Sequence, residues 1–333
     1  MAFIWRHLGN NSKNITKMLS RLNNKHSSVD DLVNKVIPDN IKITHTNKFK
    51  PVSERRAINE MKQTFGKISY NRNRKNLVGM DFHESNLPNV ISRNLLENPK
   101  WYTAYTPYQA EISQGRMESL FNFQTMVCEL TDLPLSNCSL LDSASAAAEA
   151  FNVAHNHHKG KRPNFFCDNM VHPVLKSVLE TRANLIGANI VFSNINEYEF
   201  KNGNNVFSGA LFAYPNVRGE VNYLQSKIDE IKETGALVAT HNDILSLLML
   251  KPPGQIGVDI SFGTTQRFGL PLWFGGPHSA FMSCDKNFQR FIPGRIVGLT
   301  KDRNNEPCFR LALQTREQHI RKDKALSNIC TSQ

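Results

Sequence analysis

Between residues 135 and 285, short apolar runs alternate with amphipathic segments, and this rhythm constrains the fold more than any other feature of the chain. The runs "NFFCD", "ANIVFS", "GALFAYP", "ALVATH", "VDISF" and "SAFMSC" have the length and the aromatic or β-branched content of strands. Helical segments separate most of them: an alanine-rich run after Asp142, a stretch from about Pro173, "QSKIDEIKETG" and "ILSLLML". Parallel neighbours need long crossovers, usually helical, so this alternation predicts an α/β domain with a mainly parallel sheet. Upstream, "GRMESLFNFQTMVCELT" places Met117, Leu120, Phe121, Met126 and Val127 near helical spacing and predicts a buried helix. No internal repeat is visible.

The N-terminal part reads differently. "SKNITKMLSRLN" and "SVDDLVNKVI" predict two short helices, the first capped by Asn11 or Ser12 and the second by Ser28 ahead of acidic first-turn residues. A third is expected over "SERRAINEMKQTFGK", with Ser53 as cap. Residues 71–110 are rich in Asn, Pro and Tyr and lack a period, which predicts a long ordered excursion because "WYTAYTPY" holds four aromatics. The expected divisions are therefore 1–110, a helical segment and Tyr-rich loop; 111–300, a large α/β domain; and 301–333, the start of a small C-terminal subdomain. The tail "CFRLALQTREQHIRKDKALSNICTSQ" runs from a strand into a helix and stops without a cap, which reads as truncation.

Composition narrows the function classes. Hydrophobic residues make up 40%, enough for a globular core, and no run reaches the roughly 18 apolar residues of a membrane helix, so a soluble chain is expected. The six cysteines show no CxxC spacing and read as free thiols in a reducing compartment. His155, His157 and His158 sit beside "KGKRP" in an expected loop with no partnering acid or cysteine, so no metal site is expected. The net charge of +11 is spread along the chain without a nucleic-acid motif, and no nucleic-acid binding is expected. The first 29 residues lack Asp and Glu, a pattern shared by transit peptides and by ordinary basic helices.

Ligands of open α/β sheets lie beyond the carboxyl ends of the strands, so the loops there are the candidate site. "LLDSASAAAEA" puts Ser143 and Ser145 at a helix start, a natural seat for phosphate or carboxylate; plain capping by Asp142 or Ser143 is the alternative, and Asp142 would repel a phosphate dianion. "CDNMVHP" places His172 where it can stack on a planar cofactor, shuttle a proton or merely cap a helix. Asn216 and Arg218 of "AYPNVRG" share that edge. "GTTQRFGLPLWFGGPH" has the shape of a pyridoxal phosphate lysine loop, but Gln266 and Arg267 stand where the lysine belongs. In the Tyr-rich loop, Tyr102, Tyr105 and Tyr108 recur every third residue among the uncharged Thr103, Thr106, Gln109, Ser113 and Gln114, suiting a ligand wall or a subunit interface. Arg116 offers a fork for a carboxylate.

Taken together, "FIWRHLG", "ENPKWYTAYTPYQAEISQGRMESLFNFQTMVCELT", "LLDSASAAAEA", "KPPGQIGVDISFGTTQRFG", "FGGPHSAF", "PGRIVG" and "RLALQTREQHIRKDKALSNICT" resemble the P-protein of the glycine cleavage system, a decarboxylating glycine dehydrogenase. The resemblance spans nearly the whole chain. It implies a fold-type I pyridoxal phosphate transferase-like domain, similar to the first of two such units that are fused or split in that family. Only the second unit carries the cofactor, on a lysine of a His-Lys pair whose counterpart here is Gln266-Arg267. The acid that partners the cofactor's pyridinium is missing too: Asp243 is nearby, but Thr240 falls closer to its place. The resemblance thus implies that pyridoxal phosphate belongs to another half, with Ser143, Ser145 and His172 as a degenerate cofactor site.

It also implies that Tyr102, Tyr105, Thr106, Tyr108, Gln109, Ser113 and Arg116 line the other half's active site across a dimeric or pseudo-dimeric interface, positioning glycine and excluding water. The implied partners are that half and the lipoylated H-protein, which the basic surface would meet. The implied reaction converts glycine and lipoyl H-protein to aminomethyl-lipoyl H-protein and CO2. "RHLG" so near Met1 argues against a cleaved leader and favours the cytoplasm over the mitochondrial matrix. Departures from the family pattern fall at "GMDFHESNLPN", "CDNMVHPVLK" and Ser143-Ala-Ser145. The alternatives are a non-catalytic scaffold that binds a partner P-protein half or H-protein, and an independent enzyme of the same fold using another lysine.

Overall fold

The computed structural model describes residues 9–22, 25–43, 50–68, 77, 79–103, 106–201, 206–272, 275 and 278–325. The chain divides into two compact units, Met1–Leu77 and Val78–Gln333. In the first, the expected helices form as α1 (Ser12–Ser20), α2 (Val29–Val36) and α3 (Glu54–Ile68). Their caps follow from side-chain chemistry. The Asn11 side chain accepts the Asn14 N–H at 2.9 Å, Ser28 Oγ accepts that of Asp31 at 3.0 Å and Ser53 Oγ that of Arg56 at 3.3 Å.

The second unit begins with an extended stretch over 82–88 and short helical turns at Asn89–Ile91, Ser92–Leu96, Pro99–Tyr102 and Ala110–Ile112. It continues through α4 (Gln114–Thr131), β1 (Leu135–Ser136), α5 (Ser143–His157), β2 (Asn164–Asp168), α6 (Pro173–Leu185), β3 (Asn189–Ser193), β4 (Phe207–Tyr214), α7 (Gln225–Glu233), β5 (Leu237–Asn242), β6 (Ile260–Thr264), β7 (Ala280–Cys284), β8 (Ile296–Lys301) and β9 (Pro307–Ala312). Seven strands form one sheet in the order β1-β7-β6-β5-β4-β2-β3. Strands β3, β2, β4, β5 and β6 run parallel, while β7 is antiparallel to both β6 and β1.

Packing follows from the period of two along the strands. On β4, Ala210, Phe212 and Tyr214 enter a cluster with Ile228 and Ile231 of α7 and Val127 of α4. Leu211 and Ala213 point the other way, into a cluster with Phe151 of α5 and Leu175 and Leu179 of α6. The alanines of α5 let that helix press on the sheet: a Cβ placed on Gly209 of β4 would lie only 3.1 Å from Ala154 Cβ. The sheet is therefore covered on both faces, as a parallel sheet requires.

Three local expectations are corrected. "ILSLLML" forms only a short 3-10 turn, Ser246–Leu248, because Asp243 organises its start and Pro252-Pro253 ends it. The "HNHH" run is the last turn of α5, not a loop; His157 packs on Phe288 and Phe291. After β9 the described tail holds short helical turns instead of one helix, and 326–333 lie outside the described residues. "PGRIVG" leads into β8, which pairs with β9 in an antiparallel hairpin that the strand pattern alone did not single out.

Candidate functional site

The carboxyl edge of the sheet gathers side chains from five places in the sequence. His172 stands at the N-cap position of α6 after β2 without a capping side-chain bond, His241 sits near the end of β5, Gln266 follows β6, and His278 precedes β7. Into this edge the segment 79–86 delivers Asp81, which is buried. Its backbone is left-handed at φ +70°, a region Asp tolerates better than most residues.

The Asp81 carboxylate accepts a short hydrogen bond from Ser143 Oγ at the first residue of α5. His241 Nε2 lies 3.4 Å from Asp81 Oδ2 and His278 Nε2 4.0 Å from it. The Phe82 ring stacks on His278 with centroids 4.4 Å apart, and His172 meets His241 edge-on at 5.6 Å. Burial by itself would raise the Asp81 carboxyl, but the charge of His241 and contacts from His241, His278 and Ser143 outweigh it and hold it far below the usual carboxylate range. Burial pushes His172 down, with the neighbouring His241 adding to the effect; burial and then Arg267 push His83 down.

Gln266 is fully occupied with the chain. Its Nε2 donates to the His83 carbonyl at 2.6 Å and the Leu270 carbonyl at 2.8 Å, and its Oε1 accepts the His83 N–H at 3.1 Å. Arg267 Nε pairs with Asp243 Oδ1 at 3.2 Å. Thr240 Oγ1 donates to Asn242 Oδ1 at 2.7 Å, and Asn242 donates onward to the Tyr214 carbonyl at 3.0 Å. Asn216 holds its own loop, with Oδ1 accepting the N–H groups of Arg218 and Glu220.

The other expected site residues have separate contacts. Ser145 N–H is capped by Asp142 Oδ1 at 2.7 Å. In the Tyr-rich loop, Tyr105 lies outside the described residues. The Thr106 carbonyl accepts from Ser113 Oγ at 3.0 Å, and Gln109 is exposed. Tyr108 donates to Glu317 Oε2 at 3.2 Å beneath the Arg295 guanidinium, 4.7 Å from the ring centre. Gln114 grips β9 twice, donating to the Phe309 carbonyl at 2.8 Å and accepting its N–H at 2.9 Å. These bonds pin the loop against the β8–β9 hairpin while Tyr102 stays 65% exposed. Arg116 donates to the Trp101 carbonyl and lies over its ring, so part of its fork is taken up by the chain itself.

The family model for the glycine cleavage system P-protein matches residues 5–333. The chain belongs to this family. It is 45% identical over 333 residues to the mitochondrial decarboxylating glycine dehydrogenase of Mus musculus, covering 99% of this chain and 32% of the relative. It is 44% identical to the glycine dehydrogenase of Bdellovibrio bacteriovorus, covering 34% of it. The chain thus spans about a third of the length of the curated relatives it matches. A crystal structure of an inhibitor-bound glycine decarboxylase P-protein superposes with a TM-score of 0.86 at 32% identity, over 98% of this chain and 73% of that one. A sphingosine-1-phosphate lyase of Burkholderia pseudomallei, at 12% identity and a TM-score of 0.51, shares the fold. The fold-type I transferase-like architecture expected from the sequence is the one observed. Family members include bacterial proteins and proteins named as mitochondrial.

Sequence reasoning found Ser143 and His172 at this edge but missed Asp81, His83, His241 and His278. His241 carried a readable signal, since it ends a strand-like run. Asp81 lies within the departure at "GMDFHESNLPN", but no local period marked it, because it precedes the α/β pattern and reaches Ser143 across 62 residues.

Proposed function

We propose that this chain is the cofactor-free half of a glycine-decarboxylating P-protein, supporting chemistry that belongs to a pyridoxal phosphate-binding half. The observation that carries the reading lies at Gln266-Arg267, the pair expected at the lysine position: the amide donor and acceptor of Gln266 are bound to the chain's own backbone, and Arg267 is bound to Asp243. The surrounding residues fit the cofactor poorly as well. Asp243, the nearest candidate for a pyridinium partner, is bound to Arg267, and Asp81 brings negative charge to the start of α5, where a phosphate would need positive potential. Pyridoxal phosphate on the other half would supply an electron sink for loss of CO2 from glycine.

This chain's part would be positioning and exclusion of water. The bonds of Tyr108 and Gln114 fix the Tyr-rich loop in advance, so Tyr102 and its neighbours can meet a partner surface with little loss of conformational freedom. The lipoylated H-protein would approach the assembled pair, which makes its encounter with a chain of net charge +11 sensitive to salt.

The test is reconstitution. The purified chain, a cofactor-binding half from a relative and lipoylated H-protein are assayed for exchange of labelled CO2 into glycine. Activity should need both halves. A stoichiometric phosphopyridoxyl adduct on one lysine of this chain alone, after borohydride reduction with pyridoxal phosphate, would overturn the reading.

A further inference from the structure

We propose that the carboxyl edge of the sheet holds an oxyanion seat, built from Ser143, His241 and His278, which the chain fills with its own Asp81 carboxylate. Two independent features converge on the seat. One is the start of α5, a 15-residue helix whose first-turn N–H groups and dipole favour negative charge, with Ser143 donating its hydroxyl there. The other is a set of imidazoles. His241 is only 3% exposed, and its Nε2, facing Asp81, has no hydrogen-bond partner of good geometry. His278 turns its own Nε2 toward the same oxygen, Asp81 Oδ2.

Asp81 is held in this seat by its own segment. Gly79, Met80 and Asp81 all have positive φ, at +65°, +56° and +70°, a run that L side chains adopt at a cost. Gln266 clamps His83, and Ser85 Oγ donates to the Leu270 carbonyl at 2.6 Å, so the turn is latched immediately after the carboxylate. A single carboxylate of fixed reach leaves His241 at 3.4 Å and His278 at 4.0 Å, whereas a tetrahedral oxyanion presents several acceptors to the same donors. The other acids nearby are engaged: Asp142 with the Ser145 N–H and Asp243 with Arg267. Asp142 still opposes a dianion, so the seat should take phosphate weakly.

The experiment uses the full 333-residue chain and inorganic phosphate, with chloride at equal ionic strength as the control. Asp81→Gly removes the carboxylate and suits a left-handed backbone. Phosphate binding, read by phosphorus NMR line broadening and by the phosphate-dependent melting shift, should be about tenfold or more tighter in Asp81→Gly than in the native chain. It should be lost again in Asp81→Gly/His241→Gln. A folded Asp81→Gly that binds phosphate no better than the native chain overturns the proposal, as does binding that survives the second substitution. Asp81→Asn, which keeps the shape, covers the case in which the glycine variant does not fold. Its His241 ring-nitrogen resonances should shift from the native positions, and unchanged resonances would refute Asp81 as the occupant. The readouts use this chain alone, so they do not depend on the partner half proposed above.

Discussion

Gln266→Ala tests whether Gln266 is a structural clamp. The substitution removes one acceptor and two donor contacts and leaves the His83 N–H and the His83 carbonyl without their partner, while the Leu270 carbonyl keeps the Ser85 hydroxyl. Each buried backbone group left unpaired costs about 1–3 kcal/mol. Because His83 is only half-buried, water can satisfy part of the loss, and a total of about 2 kcal/mol follows, roughly a factor of thirty in the unfolding constant. Denaturant midpoints at unchanged slope measure it. Amide exchange at His83 reports the same bond locally and should accelerate in parallel.

The isosteric Gln266→Glu sharpens the test. An ionised carboxylate would still accept the His83 N–H but would face two carbonyl oxygens, so the folded state should favour its protonated form and raise its pKa. A group raised on folding contributes stability below its unfolded value and loses it as pH rises through the folded one. Gln266→Glu should therefore recover toward the native chain on acidification, relative to that chain at the same pH. A Gln266→Ala variant within about 0.5 kcal/mol of native, with unchanged His83 exchange, would refute the clamp.

Two further outcomes follow from the same structure. Gly254→Ala should cost about 3 kcal/mol or more, because the added Cβ would lie 1.9 Å from the Asp132 carbonyl oxygen and backbone would have to move; a thermal melt within a degree of native would contradict this. Stability should also fall as pH drops below about 6.5, since His83 and His172 have lowered pKa values and take up protons more readily unfolded than folded. Asp81, also lowered, adds a second loss below about pH 4. Replacing His172 with Gln should flatten the first of these declines, measured as denaturant midpoint against pH.

The legible part of this protein is the part written in local periods. Apolar runs of strand length, alternating with helical segments, gave the mainly parallel sheet, and helical spacing gave α4, whose Met117 and Val127 are buried while Met126 is exposed; the caps at Ser28 and Ser53 were legible too. The failures were also local in origin. "ILSLLML" has a helix's apolar content but settles as a 3-10 turn between the Asp243 side chain at its start and Pro252-Pro253 at its end. In the site, Ser143 and His172 were legible because strand-to-helix junctions can be located in a sequence, and ligand edges follow from them.

By itself the sequence determined the α/β layering, the membership of the P-protein family and the absence of a lysine at Gln266-Arg267. Tertiary structure alone decided what occupies that edge. Asp81 reaches Ser143 across 62 residues and Gln266 reaches His83 across 183. No local pattern encodes such pairs, since hydrogen bonds and charges select partners by distance in space. Closing the sheet brings His241 of β5 and His278 ahead of β7 to one buried carboxylate, with His172 packed on His241.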